Sequence, residues 1–229
     1  MSTTLLTALA GLSLGMRHAL EPDHLAAVST LAAEQRSPRA GLWLGALWGL
    51  GHSLSLLVVG GGLALLELHM PEQVTLGFEL LVSLVLMVLG ARAVRRSILE
   101  GRSGAIATHH HGALVHTHSM PGTHVHLRGW TFAGRPLLVG VLHGLAGSGA
   151  LTAVVLAQLP SAGARLGAIV LFGLGSVVGM AALTGAVGVP LMRMARAPRV
   201  ASGLLGAAGV VSLVVGLWWA WASGAKLLT

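Results

Sequence analysis

The sequence predicts an all-α polytopic membrane protein that crosses the bilayer six times. Of its 229 residues, 54% are hydrophobic and only 9% are charged, and the mean hydropathy is +0.81. A soluble domain is roughly one-quarter charged, so this composition excludes one. Five apolar stretches approach or exceed the roughly 20 residues that a helix needs to cross the hydrocarbon core. They lie at about residues 41–66, 73–94, 136–159, 163–190 and 200–223.

A sixth stretch, residues 4–32, is long enough to span but is interrupted by ionisable side chains. Its apolar start lacks a basic region ahead of it, so we expect a retained helix and not a cleaved signal peptide. Pro22 removes one backbone donor and crowds the preceding turn. We therefore expect a kink or unwound segment around residues 20–24 that turns His18, Asp23 and His24 toward one cavity. The ionisable side chains that interrupt the stretch are Arg17, His18, Glu21, Asp23 and His24.

The two halves of the chain resemble each other. The segment Leu47–His52 matches Leu171–Ser176, and Gly15–Leu20 matches Gly140–Leu145, at nearly the same separation. Three spans per half is an odd number, so the halves would enter the membrane with opposite orientations. Such 3+3 inverted-topology repeats are typical of secondary transporters, whose substrate site lies near the midplane. We expect a first three-helix repeat at 1–96, a His-rich cytoplasmic loop at 97–134 and a second three-helix repeat at 135–229.

The basic residues predict the orientation of the chain. The formal net charge is +7, which in a soluble protein would suggest nucleic-acid binding. Six spans, however, place most arginines on one side, where the positive-inside rule assigns the cytoplasm. We therefore expect a multi-pass protein of a bacterial inner membrane, with both termini outside the cytoplasm and no nucleic-acid partner. The arginines on the cytoplasmic side are Arg36, Arg39, Arg92, Arg95, Arg96, Arg102, Arg128, Arg135, Arg193, Arg196 and Arg199.

Four histidines and the single aspartate fall within predicted spans: His18, Asp23, His24, His52 and His143. An ionisable residue at bilayer depth costs several kcal/mol, so it indicates function by default. The chain has no cysteine, and imidazole with carboxylate suits a divalent metal such as Ni²⁺, Co²⁺ or Zn²⁺. Helix rise places imidazoles from three helices at similar depth. The sequence therefore predicts an intramembrane metal site.

Another interpretation of these histidines is structural. They could satisfy one another or backbone carbonyls as contacts between helices, with Arg17 paired to Glu21 four residues on. Glu79 lies near the outer end of its span and could reach interfacial water.

The same residues carry a resemblance to a known family. The segment Arg17–His24 resembles the R-H-x4-D-H signature of nickel/cobalt transporters, and Gly49–Ser53 resembles their second-helix motif. The segment His143–Leu151 is similar to the shorter, UreH-type urease-accessory membrane proteins of that superfamily. The resemblance implies a nickel or cobalt permease with His18, Asp23, His24 and His52 essential for metal passage. We add His143 as a ligand, and Glu21, Ser53, Ser148 and Glu79 as secondary metal candidates.

The loop between the third and fourth spans is rich in histidine. Its imidazoles could chelate metal on the cytoplasmic side, as His-rich tracts do, or form a polar loop without a role in turnover. They are His109, His110, His111, His116, His118, His124 and His126.

The predicted function is secondary transport of Ni²⁺ or Co²⁺, in the direction of uptake. No P-loop is present to couple ATP and no H-E-x-x-H motif suggests a protease, so we expect neither enzyme activity nor a cofactor. One alternative is a metal exporter that captures its substrate with the His-rich loop. Another is a membrane metallochaperone that delivers nickel to urease or hydrogenase maturation partners.

Overall fold

The computed structural model describes residues 3–33, 38–66, 68, 70–103, 107–111, 114–118, 130–146, 159, 161–194 and 198–228. The described helices alternate with short connections and pack side by side. A π-helical turn at Leu56–Gly60 joins the helix Pro38–Ser55 to the short helix Gly61–Leu66. The helices are α1 (Thr3–His18), α2 (Pro22–Ala33), α3 (Pro38–Ser55), α4 (Gly61–Leu66), α5 (Glu72–Ser103), α6 (Trp130–Gly144), α7 (Ala162–Met194) and α8 (Pro198–Leu227).

Four helical segments are long and apolar enough to cross a membrane: Arg39–Leu63, Glu72–Glu100, Ala162–Val187 and Val200–Leu227. They correspond to the second, third, fifth and sixth predicted spans. Their outer surfaces carry exposed leucine, valine and tryptophan side chains, such as Trp221, which is 73% exposed. Large apolar surfaces of this kind suit lipid and not water. A helical membrane protein is therefore confirmed, with four such segments among the described residues where six spans were predicted.

The first predicted span is broken into two helices. After α1 the chain makes tight turns, with the Leu20 amide donating to the Arg17 carbonyl at 2.9 Å and the Glu21 amide to the His18 carbonyl at 3.0 Å. Pro22 then opens α2, a position where its missing N–H costs nothing. The break lies at 19–21, at the start of the predicted 20–24 region. As a result Asp23 lies in the first turn of α2.

The fourth predicted span, 136–159, is described only in part. Helix α6 begins at Trp130 and ends at Gly144, where the Ala146 amide turns back to the His143 carbonyl at 3.2 Å. Residues 147–158 lie outside the described part of the chain.

Helix α2 lies at the centre of the packing, with Ala26, Ala27 and Val28 almost completely buried. It contacts α5, α7 and α8. A hydroxyl network fixes it to α8: the Ser212 hydroxyl lies 2.6 Å from the Thr30 hydroxyl and donates to the Ala26 carbonyl at 2.8 Å. Hydrogen bonds between helices hold membrane proteins together where the hydrophobic effect contributes little.

A short β-hairpin follows α5, which the all-α prediction did not include. Strands β1 (Ala107–His111) and β2 (Leu114–His118) pair antiparallel, with His109 opposite His116. The hairpin lies within the predicted His-rich loop.

Candidate metal site

The structure brings together the five side chains that the sequence analysis proposed as metal ligands. His18 ends α1, Asp23 and His24 open α2, and His52 and His143 come from α3 and α6. None of the five is more than 4% exposed. The broken first span makes this arrangement possible, because the turns at 19–21 let two successive helix ends face the same interior space.

Asp23 connects two of the imidazoles. The His24 Nδ1 donates to Asp23 Oδ1 at 3.0 Å, and the His143 Nε2 donates to Asp23 Oδ2 at 3.0 Å. Helices α2 and α6 are therefore joined through one buried carboxylate. An ionised carboxylate only accepts hydrogen bonds, so each imidazole supplies the proton.

His18 forms the second pair of contacts. Its Nε2 lies 3.1 Å from the Nε2 of His52, and its Nδ1 lies 2.9 Å from Oε1 of Glu21. The Glu21 side chain is 49% exposed, whereas that of His18 is 4% exposed. The cluster therefore reaches the surface through Glu21. Glu21 thus pairs with His18, whereas the structural interpretation of the sequence had paired it with Arg17.

Several buried polar atoms of this cluster have no hydrogen-bond partner in the described structure. They are Nε2 of His24, Nδ1 of His52, Nδ1 of His143 and the indole Nε1 of Trp48. A buried polar atom left unpaired costs about 1–3 kcal/mol. Histidines that served only as contacts between helices would be expected to satisfy both ring nitrogens. The unpaired nitrogens therefore favour a site that receives a ligand.

Two overlapping groups of side chains are candidates to hold a metal ion. One ring nitrogen from each of His18, His24 and His52 lies within 4.8 Å of the others, and so do single atoms of Asp23, His24 and His143. At a metal–nitrogen bond of about 2.1 Å, two ligand nitrogens are separated by about 3.0 Å at a right angle and 3.4 Å at the tetrahedral angle. The 3.1 Å between the Nε2 atoms of His18 and His52 falls in this range and is also the length of a hydrogen bond between the two rings.

Two aromatic residues that sequence reasoning did not single out line the cluster. The Trp48 ring lies 5.4 Å from that of His24 and 5.5 Å from that of His143, measured between centroids. The Phe172 ring lies 5.3 Å from that of His18. The internal repeat could have indicated both residues, because Trp48 and Phe172 occupy matching positions in the two aligned segments.

The secondary candidates lie in different surroundings. The Ser53 hydroxyl donates to the carbonyls of Gly49 and Gly173, at 2.8 and 2.9 Å. Glu79 accepts a hydrogen bond of 2.7 Å from the Ser223 hydroxyl, between α5 and α8, and belongs to neither metal-binding group among the described residues. Ser148 lies outside the described residues, as do His124 and His126 of the loop. The other loop histidines lie on the two hairpin strands.

The fold and the site define a helical membrane protein with a buried cluster of imidazoles and a carboxylate that could hold a divalent metal. A family model described as high-affinity nickel-transport protein, the NicO family, matches residues 4–219. The chain belongs to this family, which confirms the resemblance found in the sequence. Membership indicates a transport or accessory role and not an enzyme.

The chain is also similar to curated proteins along most of its length. The chain is 32% identical over 211 residues to the urease accessory protein UreH of Bacillus sp. (strain TB-90), covering 90% of this chain and 87% of the relative. It is 29% identical over 220 residues to the Chloroplast protein FOR GROWTH AND FERTILITY 1 of Arabidopsis thaliana, covering 93% of this chain but only 58% of the relative. No solved structure matches the chain.

Proposed function

We propose that the protein is a secondary transporter that carries Ni²⁺ or Co²⁺ into the cell through the buried histidine and aspartate site. The observation that carries the proposal is the set of unpaired ring nitrogens on three buried imidazoles. Such groups are costly at membrane depth and persist where they serve a substrate or ion pathway. Imidazole donors without thiolates suit Ni²⁺, Co²⁺ and Zn²⁺, and membership of a nickel-transport family favours the first two.

The proposal includes a two-fold relation between the halves 1–96 and 135–229, each with three spans and separated by the cytoplasmic loop at 97–134. Close contacts of glycines support it. A Cβ on Gly15 would collide with the backbone of Phe172, and a Cβ on Gly140 would collide with the backbone of Trp48. In the repeat, Gly15 aligns with Gly140, and Phe172 aligns with Trp48. The same glycine–aromatic contact therefore occurs twice: once with the glycine in the first half and once with the glycine in the second half.

A second pair of contacts repeats in the same way between α3 and α7. A Cβ on Gly49 would lie 2.7 Å from the Cα of Val177, and a Cβ on Gly173 would lie 3.0 Å from the Cβ of Ser53. Gly49 aligns with Gly173, and Ser53 with Val177. An exchange of this kind is what a two-fold axis produces.

The proposed symmetry supports a transport cycle by alternating access. Inverted repeats change access by moving one half against the other around a fixed site. The proposed site joins both halves, because His18, Asp23, His24 and His52 belong to the first and His143 to the second. The arginine distribution orients the transporter in a bacterial inner membrane with both termini outside.

Metal accumulation in cells tests the function and its direction together. Cells that express the protein are expected to contain more nickel than control cells and to be more sensitive to it. Less metal per cell with increased resistance would show export and contradict uptake. Unchanged metal content, with the protein present in the membrane, would contradict transport.

Two observations favour a second candidate, a membrane metallochaperone. The relative from Bacillus is named a urease accessory protein, and loop histidines lie in the sequence of both hairpin strands. In that function the loop would deliver nickel to a soluble maturation partner. Replacing the seven loop histidines by glutamine would then abolish function, while the intramembrane substitutions would be mild. Transport in liposomes without any partner would exclude this candidate as the main activity.

A further inference from the structure

We propose that the β-hairpin after α5 carries a second metal site, in which histidines of both strands bind one divalent transition-metal ion. The strands are β1 (Ala107–His111) and β2 (Leu114–His118). This hairpin site is separate from the buried cluster, and it does not depend on whether an ion crosses the membrane there. The observation that carries the proposal is the register of the two strands.

The register brings four histidines to one face of the hairpin. Residues two apart along a strand share a face, and so do residues directly opposite each other on antiparallel strands. His109 lies directly opposite His116, so the residues two positions from either of them join the same face. The fifth histidine of the hairpin, His110, lies opposite Val115 and belongs to the other face. The four that share a face are His109, His111, His116 and His118.

This face suits a site built across the two strands. Directly opposite residues of antiparallel strands have Cβ atoms about 4.5–5.5 Å apart, and diagonal neighbours lie about 7–8 Å apart. His109 and His116 form the direct pair. His111 is the diagonal neighbour of His116, and His118 is the diagonal neighbour of His109. The central pair can therefore be completed by a third histidine from either end of the hairpin.

The residue types of the hairpin determine the class of ion. Neither strand contains aspartate or glutamate, and the protein has no cysteine. Neutral imidazoles suit Co²⁺, Ni²⁺, Cu²⁺ and Zn²⁺, whereas Mg²⁺ and Ca²⁺ take oxygen ligands. Three imidazoles with an open fourth position are a known zinc ligand set. Affinity should rise from Co²⁺ to Ni²⁺ to Cu²⁺, because a site without special geometry follows this order.

An ion bound at this site stabilises the hairpin. A two-stranded hairpin alone is only marginally stable in water, and metal ligation adds its binding free energy to that of the folded form. Since His109 and His116 belong to different strands, an ion that binds both joins β1 to β2. Backbone amides of the two strands should therefore exchange with solvent more slowly when the ion is bound. A histidine tract that binds metal without a fixed register would not show this protection.

Two neighbouring substitutions test the register in the full-length purified protein. The measurement is hydrogen exchange of the hairpin amides as a function of Ni²⁺ concentration, which reports this site without a contribution from ions at the buried cluster. Loss of a residue that only supports a metal ligand costs about 10- to 100-fold in affinity, so loss of a ligand in His109→Ala should cost at least tenfold. His110→Ala removes the next histidine in the chain from the other face and should leave the Ni²⁺ dependence unchanged.

A rearranged variant separates the site from histidine content. Thr108→His/His109→Thr keeps the composition of β1 but moves one histidine to the other face, so it should lose affinity like His109→Ala. Circular dichroism shows whether each variant remains helical. Equal Ni²⁺ dependence in His109→Ala and His110→Ala, full affinity in the rearranged variant, or exchange that does not respond to Ni²⁺ in the unmodified protein would overturn the proposal.

Discussion

The contact between α3 and α7 offers a direct test of how the site is positioned. A Cβ introduced by Gly49→Ala would lie 2.7 Å from the Cα of Val177. Carbon atoms pack at about 3.5–4.0 Å, so the two helices must separate by about 1 Å. His52 follows Gly49 by less than one turn and moves with it. Its contact with His18, now 3.1 Å between Nε2 atoms, would open.

Two opposing energies set the size of the effect of Gly49→Ala. Overpacking a well-packed contact costs about 1–3 kcal/mol, and replacing glycine by alanine within a helix gains about 1 kcal/mol. A net destabilisation of up to about 2 kcal/mol is expected. Loss of the groups that position metal ligands typically costs about 10- to 100-fold in affinity, so we expect Ni²⁺ transport at low concentration to fall at least tenfold.

Initial uptake rates and thermal unfolding in detergent measure the two effects. Gly62→Ala is the matched control, since nothing lies within 4 Å of a Cβ there, and it should transport like the unmodified protein. Gly173→Ala should be intermediate, because its new Cβ meets only the Ser53 side chain, at 3.0 Å. If Gly49→Ala transports and unfolds like Gly62→Ala, close approach of these helices does not position the site.

Two further predictions concern proton competition and helix contacts. Metal binding requires neutral imidazoles, so protons compete with the ion and Ni²⁺ affinity should weaken on acidification. A calorimetric titration that shows no change from about pH 7.5 down to about pH 4, well below the reference His pKa of about 6.5, would exclude the imidazoles as ligands. Ser212→Ala removes the 2.6 Å contact with Thr30 and should lower the free energy of unfolding by about 0.6 kcal/mol, and by at most about 1.7. Equal thermal stability would mean that this network does not fix α2.

The sequence predicted the membrane class and the break in the first span because both depend on local chemistry. Composition determines whether a helix suits lipid, and Pro22 cannot continue a helix from the preceding turn. The helix boundaries were less predictable. The apolar stretch at 136–159 predicted a span that begins at 136, whereas α6 begins at Trp130, since hydropathy does not determine where backbone hydrogen bonds start.

The composition of the cluster was predictable, but its internal hydrogen bonds were not. Charged and imidazole groups are rare at membrane depth, so their recurrence on several helices indicated a shared site. Which nitrogen faces Asp23 depends on how α6 lies against α2. His143 and Asp23 are 120 residues apart in the chain, and no local pattern reports their orientation. For the same reason the Trp48 ring was not assigned to the cluster.

Transport by the purified protein in liposomes tests directly whether Ni²⁺ crosses the membrane through the buried histidine and aspartate site. Uptake of radioactive Ni²⁺ is compared between the unmodified chain and the double variant His18→Ala/Asp23→Ala, with circular dichroism to show that both remain helical. We expect concentrative or gradient-driven uptake by the unmodified protein and background uptake by the folded double variant. Equal uptake by the two proteins would contradict an intramembrane pathway through this site.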